Sequence, residues 1–321
     1  MQKTKWIAKL DHFFITRPML FFPGWNTLLA GYLNSVDDIH PVSQAIEGLT
    51  SFHFWNFDLI LVMMAFMFAM GSSFILNQIA DVETDRKNKK LFLIDEHFLS
   101  KKSASVEAAI LILLSLSIGF LVNFTILLLI VIFLFITAYL YNFKPFEFKN
   151  KPFSGLLLNS MMGWLAFALG WFIHRELTLA FILASLPYLF LNTGLYLLTT
   201  LPDMTGDQST LKQTFSVIFG FRKTVILAGL LYLLSLIVAI FLKDQIILVI
   251  DLLLFLYFIK MLIGMALSTS VKFIKMAIFF FSLLISFKFP FYLVIMIFVY
   301  FLTRYYYRQR FDFDYPNFRG N

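Results

Sequence analysis

An all-α, polytopic transmembrane bundle of about nine helices is the fold class that this sequence predicts, on three observations. Apolar residues make up 60% of the 321 and charged residues only 14%, against roughly 25% charged in ordinary soluble domains. The apolar residues gather in runs of the length, about 20 residues, that an α-helix needs to cross a hydrocarbon core. The basic residues fall in alternate connections between those runs, as they do when one side of a membrane holds the positive charge. A soluble chain of this size could not bury so much apolar side chain behind a polar shell.

The runs place spans near residues 17–35, 58–80, 106–122, 124–143, 153–173, 178–201, 221–242, 245–267 and 273–303. Pro23, Trp25 and Asn26 interrupt the first. The last is too long for one straight helix and carries Lys288 and Pro290 near its middle, so ten passes, or a re-entrant break at Pro290, stand as the alternative to nine. Residues 1–321 read as one membrane domain, with 1–16 as an interfacial N-terminal segment and 304–321 as a polar C-terminal tail. The first sixteen residues mix Lys3, Lys5, Lys9, Asp11 and His12 with apolar ones and lack the continuous apolar core of a cleaved signal.

With the N-terminus on the cytoplasmic side, basic residues concentrate on that face, in the N-terminal segment and in loops 81–105, 144–152, 202–223 and 268–275. The opposite face offers Arg175 and Lys243 up to residue 267. Arg304, Arg308, Arg310 and Arg319 in the tail break the pattern under nine spans and obey it under ten. The net charge of +7 is thereby a topology signal, and no nucleic-acid partner is expected. The chain has no cysteine, which excludes disulfides, thiolate metal sites and cysteine nucleophiles.

Charged side chains at membrane depth are costly and so point to function. Asn77-Gln-Ile-Ala-Asp81-Val-Glu-Thr-Asp85 ends the second span, and Asp203-Met-Thr-Gly-Asp207 follows the sixth. Positions four apart share one face of a helix, and like charges so placed repel unless a cation sits between them. Mg²⁺ takes oxygen ligands and combines one or two carboxylates with substrate phosphates, so Asn77, Asp81, Asp85, Asp203 and Asp207 are the candidate metal ligands. A lone aspartate at a helix end is ordinarily a solvated cap; two matching stripes on one predicted face are not so easily dismissed. A cation-coupled transporter could use the same carboxylates, but it calls for groups near the midplane and repeated halves.

At these residues the sequence resembles the UbiA superfamily of intramembrane prenyltransferases. NQIADVETD and DMTGD resemble its two aspartate motifs, Arg17-Pro18 its segment ahead of the first helix, and Tyr139-Leu-Tyr141-Asn-Phe-Lys144-Pro145-Phe-Glu-Phe-Lys149 its aromatic and basic stretch after the fourth. Gly206-Asp207 followed by Thr214 and Gly220 continues the likeness, which covers most of the chain. The resemblance implies a bundle of about nine helices around a central cavity open laterally to lipid, aspartates that bind Mg²⁺ and a prenyl diphosphate, and an allylic cation that alkylates an acceptor. That acceptor could be a quinone precursor, a tetrapyrrole, a phosphosugar or a glycerol-phosphate lipid in the membrane.

Diphosphate leaves readily only when its charge is neutralised. Besides Asp81, Asp85, Asp203 and Asp207, Lys149 is the first candidate for that chemistry, then Arg17, with Lys144, Lys151 and Arg86 behind them. Tyr139 or Tyr141 could steady a cation through its ring. Asn192, Tyr196 and Thr199 form a polar stripe above Asp203, and Asn192 and Tyr196 are candidate substrate contacts along with Asn77, Arg17 and Lys144. Gln78 stands where many superfamily members carry a further aspartate, and Leu211, four residues after Asp207, ends the second carboxylate series.

Overall fold

The computed structural model describes residues 7–36, 56–87, 93–94 and 98–316, the side chains of 83–87 excepted. Among the described residues, ten helices run through the bundle: α2 (Phe21–Val36), α3 (Phe57–Lys87), α4 (Lys101–Val122), α5 (Phe124–Leu134), α6 (Pro152–Trp171), α7 (Leu179–Thr199), α10 (Phe221–Leu242), α11 (Gln245–Gly264), α12 (Leu267–Lys288) and α13 (Pro290–Phe311). Short helices join them: α1 (Asp11–Phe14), α8 (Met204–Ser209) and α9 (Phe215–Phe219). Among the described residues, eight of these helices are long and apolar enough to cross a membrane; α2 and α5 are the shorter members.

Local chemistry sets the boundaries. Ser100, Asn123, Thr178 and Asp244 each stand just before a helix and accept a hydrogen bond from the backbone N–H three residues on, the usual use of these residue types as N-caps. α3 runs seven residues past the predicted end of its span, carrying the first acidic motif on a helix that projects beyond the apolar run. α5 passes into a π-helical turn at Phe135–Leu140. Tyr141 N–H donates to the Ile136 carbonyl five residues back, the widened spacing of a π-turn.

The run predicted at 273–303 is two helices. The break falls at Phe289, with Pro290 at the first position of α13, where its fixed φ and missing N–H are tolerated. Along α12, the Ser282 hydroxyl accepts from Asn26 in mid-α2 at 2.8 Å. Beyond it, the Phe289 ring lies against Tyr32, near the C-terminal end of α2. α13 then runs back: the Tyr292 hydroxyl donates to Asn26 at 2.8 Å, and Tyr306 stacks on Phe14 with ring centroids 3.8 Å apart. The chain therefore reverses at Phe289–Pro290, and the end of α13 returns to the N-terminal segment. Residues 304–311 are helix and not loose tail.

α2 and α6 cross so closely that a Cβ on Gly31 would stand 2.1 Å from the Phe167 carbonyl oxygen, and one on Gly170 would stand 1.9 Å from that of Leu28. Small residues at such a crossing let backbones touch, as is common in membrane bundles. Toward Gly24 and Gly163 the same two helices line opposite walls of a cavity. The bundle is closed at one end and hollow at the other.

Candidate active site

The hollow end is the end of the aspartates. A cavity of about 610 Å³ has Asp81, Asp203 and Asp207 at its mouth, with Asn77, Lys149 and Lys212 among them. It runs inward past Thr27, Ser73, Thr137, Asn159 and Asn192 to Phe66, Met70, Phe133 and Ala166. Arg17, Leu20 and Pro23 form one lip, and Ile274 and Ile278 of α12 belong to the same wall system.

Each mouth residue is held by its element. Asn77 and Asp81, one turn apart on α3, are joined by a hydrogen bond of 3.2 Å from the amide to the carboxylate. The Asn77 amide also donates to Asn142 at 2.7 Å. Asn142 in turn donates to the Thr137 carbonyl at 2.7 Å, so the π-turn fixes the amide beside the motif. α7 delivers Asp203 at its end, and the short α8 turns the chain so that Asp207 is buried, its carboxylate accepting from the Thr214 hydroxyl at 3.3 Å. Lys149 Nζ lies 2.8 Å from one Asp81 oxygen and Lys212 Nζ 3.0 Å from the other. Both ammonium groups are largely shielded from solvent, so the pairs act at low dielectric. Tyr141, Tyr196 and Asn159 line the cavity just inside the mouth.

The structure thus brings together Asn77, Asp81, Asp203, Asp207, Lys149, Arg17, Asn192 and Tyr196 from the predicted set. Asp85 lies one turn beyond Asp81 on α3, with its side chain outside the described residues. Three predicted residues, Tyr139, Lys144 and Lys151, do not join them; Lys151 is exposed, with its ammonium over the Phe148 ring at 4.9 Å. Tyr139 is 43% exposed and packs its ring on Phe135 and Phe146. Tyr141 lines the cavity in its place, because four-residue spacing from Thr137 along the π-turn carries 141 inward and 139 outward. Lys144 is exposed and does not line the cavity. Gln78 points away too: its amide donates to the Ile15 carbonyl at 2.7 Å, tying the N-terminal segment to α3. It sits next to Asn77, about 100° round the helix, and could not share its face.

Lys212 is the functional candidate that the sequence reading left among ordinary loop charges. Its position follows from a reversal after α8, where Leu211 takes a left-handed φ of 58° and turns the next residue back over α3. Another carboxylate, Asp251 in α11, is 1% exposed and lies outside the cavity, its oxygens without hydrogen-bond partners among the described residues.

The oxygen-rich donor set fits a hard divalent cation such as Mg²⁺ better than a soft one. Among the described residues, no three acidic or histidine side chains already converge as a metal site; Asp81 is engaged by two lysines instead. Asn77, Asp81, Asp203 and Asp207 are the residues that would hold such a cation.

A multi-pass helical membrane bundle whose carboxylates and lysines ring the mouth of an apolar cavity defines the class. The chain belongs to the UbiA prenyltransferase family, whose model matches residues 43–284, and it is a multi-pass integral membrane protein. It is 28% identical over 186 residues to a digeranylgeranylglyceryl phosphate synthase of Methanosphaera stadtmanae, covering 57% of this chain and 65% of the relative. It is 30% identical over 181 residues to the synthase of the same name from Methanobrevibacter smithii, covering 53% and 61%. The match thus spans less than two thirds of either relative's length. In fold it is similar to a UbiA homolog from Archaeoglobus fulgidus solved with GPP and Mg²⁺, with a TM-score of 0.62 and 18% identity, covering 87% of this chain and 98% of that one.

Proposed function

We propose that this protein transfers a polyprenyl group from a prenyl diphosphate to a lipid acceptor in the membrane, with Mg²⁺ at the aspartates. The carrying observation is the single cavity with three carboxylates and two lysines at its mouth and an apolar interior behind them. That gradient matches a donor with a charged head and a hydrocarbon tail. Bound Mg²⁺ would supply charge neutralisation to the leaving diphosphate.

In this reading Lys149, Lys212 and Arg17 bind the diphosphate oxygens and spread the negative charge that builds as the allylic C–O bond breaks. Asp81, Asp203 and Asp207, with Asp85 and Asn77, provide the oxygen ligands. Tyr141 and Tyr196 line the cavity just inside the mouth, and their rings can face the positive charge of an allylic cation. Phe66, Met70 and Phe133 hold the tail and exclude water, which would otherwise capture the cation. The acceptor hydroxyl forms the new C–O bond and its proton passes to the released diphosphate; Asn192 and Thr27, joined by a hydrogen bond of 3.1 Å, are candidate contacts for its polar part.

The names of the two curated relatives favour a prenylated glyceryl phosphate as the acceptor over quinone-type rings and tetrapyrroles. The basic bias of the motif loops supports a cytoplasmic mouth, and residues 1–321 would act as one domain. The test is purified protein with Mg²⁺, geranylgeranyl diphosphate and a geranylgeranylglyceryl phosphate acceptor, with products identified by mass spectrometry. Asp81→Ala and Asp203→Ala should each remove product formation while leaving a monodisperse protein. Full activity in either variant would sink the site assignment, and substrate flux across proteoliposomes without any prenyl donor would favour a transporter.

A further inference from the structure

The C-terminal end of the chain is fastened to the segment that carries Arg17. Tyr306 and Arg310, one turn apart on α13, both reach Asp11. The Tyr306 hydroxyl donates to one carboxylate oxygen at 2.7 Å, and Arg310 Nη2 donates to the other at 2.8 Å. Asp11 is 2% exposed and Tyr306 fully buried, and the Arg310 guanidinium lies over the Phe98 ring at 4.7 Å. A charge pair this well covered is held by its geometry and its extra hydrogen bonds. Past α13, Asp312 takes a left-handed φ of 51° and turns the chain back, so that Tyr315 packs edge-on against Tyr307 with centroids 5.0 Å apart. The Arg17 charge acts on both of these hydroxyls, and α13 packs on the turn Pro18–Leu20 that follows Arg17.

Arg17 itself has φ 54° and ψ 60°. That region is uncommon for a residue with a Cβ and is further disfavoured ahead of a proline. Such a backbone persists where its surroundings over-determine it, and it clusters at functional sites. Here the surroundings are Gln78 on the Ile15 carbonyl and, from the other side, the C-terminal end of the chain. We infer that residues 306–315 form a latch that positions Arg17 at the cavity lip, so that the C-terminal segment sets how tightly the site holds a diphosphate. Tyr306, Arg310 and Tyr315 are positioning residues: they act through Asp11 and Arg17 and need not touch the substrate. The inference rests on the proposed reading of the cavity mouth as a diphosphate site.

The test titrates Mg²⁺ with inorganic diphosphate into the full-length protein by calorimetry. Tyr315→Ala, and separately Asp11→Asn with Arg310→Gln, release the latch; the double change removes both charges and leaves neither buried alone. Each should weaken diphosphate binding about tenfold, and in an Arg17→Ala background neither should weaken it further. Folded latch variants that bind as the wild type does overturn the latch. So does an equal loss with and without Arg17, which marks general loosening of the fold. A wild-type protein that binds no diphosphate in the presence of Mg²⁺ fails at the earlier step and overturns the diphosphate reading itself.

Discussion

The two ends of this bundle are built from the same helices and do opposite things. At the far end α2 and α6 touch backbone to backbone through Gly31 and Gly170. Its polar groups there are spent on one another: Asn34 donates to Tyr188 at 3.2 Å, Tyr188 donates to Asp244 at 3.1 Å, and Arg175 donates to the Ser35 carbonyl. At the motif end the same helices stand apart, and carboxylates, lysines and amides line the space between them. A closed crossing at one end lets a long apolar helix pair open at the other without losing its packing. Polar residues are structural where they bond to one another at a helix terminus, and candidates for chemistry where like-charged groups are gathered around a cavity.

Opening the far end should have the largest effect. Gly170→Val places side-chain carbon against the Leu28 carbonyl, where 1.9 Å separates even a Cβ from the oxygen, and neither backbone can swing aside. The expected cost is about 3 kcal/mol or more, read as loss of monodisperse protein and a collapsed thermal transition in detergent. A Gly170→Val protein with an unchanged transition would mean that the two helices are not tightly packed. Lys212→Met tests the open end. Asp81 keeps Lys149, so the fold should hold, while prenyl transfer falls about 100-fold if Lys212 supports the leaving diphosphate. Wild-type turnover in that variant would return Lys212 to an ordinary loop charge.

Much of this contrast was legible in the sequence. Hydropathy placed most of the helices within a few residues, and Pro290 marked the reversal that splits the last run into two helices. The four-residue spacing of Asn77 and Asp81 put them on one face, and helix α3 keeps them there. Lys212 was hidden because its approach to Asp81 depends on the left-handed turn at Leu211, a residue type that does not announce such a turn. Tyr139 and Tyr141 could not be told apart because the π-turn at Phe135–Leu140 has no sequence signature comparable to a proline or a cap. The cavity itself is a property of helix splay, which no single helix encodes.

Tyr188→Phe probes the far end more gently. It removes the hydroxyl between Asn34 and Asp244 from a ring that is 1% exposed, and Asp244 keeps its bond from the Ile247 N–H at 3.0 Å. A stability loss of about 1 kcal/mol is expected, with no change in prenyl transfer. A fall in turnover without a fall in stability would show that the two ends communicate and that their division of labour is incomplete.

The smallest effect is expected at Leu211. Its side chain is 89% exposed, so little packing is lost on truncation, while its φ of 58° burdens a residue with a Cβ by about 1 kcal/mol or more. Glycine adopts this conformation freely but carries more entropy in the unfolded chain, which takes back part of the gain. Leu211→Gly should therefore stabilise by a few tenths of a kcal/mol, at most about 1, and leave turnover unchanged because Lys212 is still turned onto Asp81. Thermal unfolding in detergent and the transfer assay read the two halves of that expectation separately. A stability gain accompanied by lost turnover would mean that the leucine side chain, and not the backbone turn alone, keeps Lys212 at the mouth of the cavity.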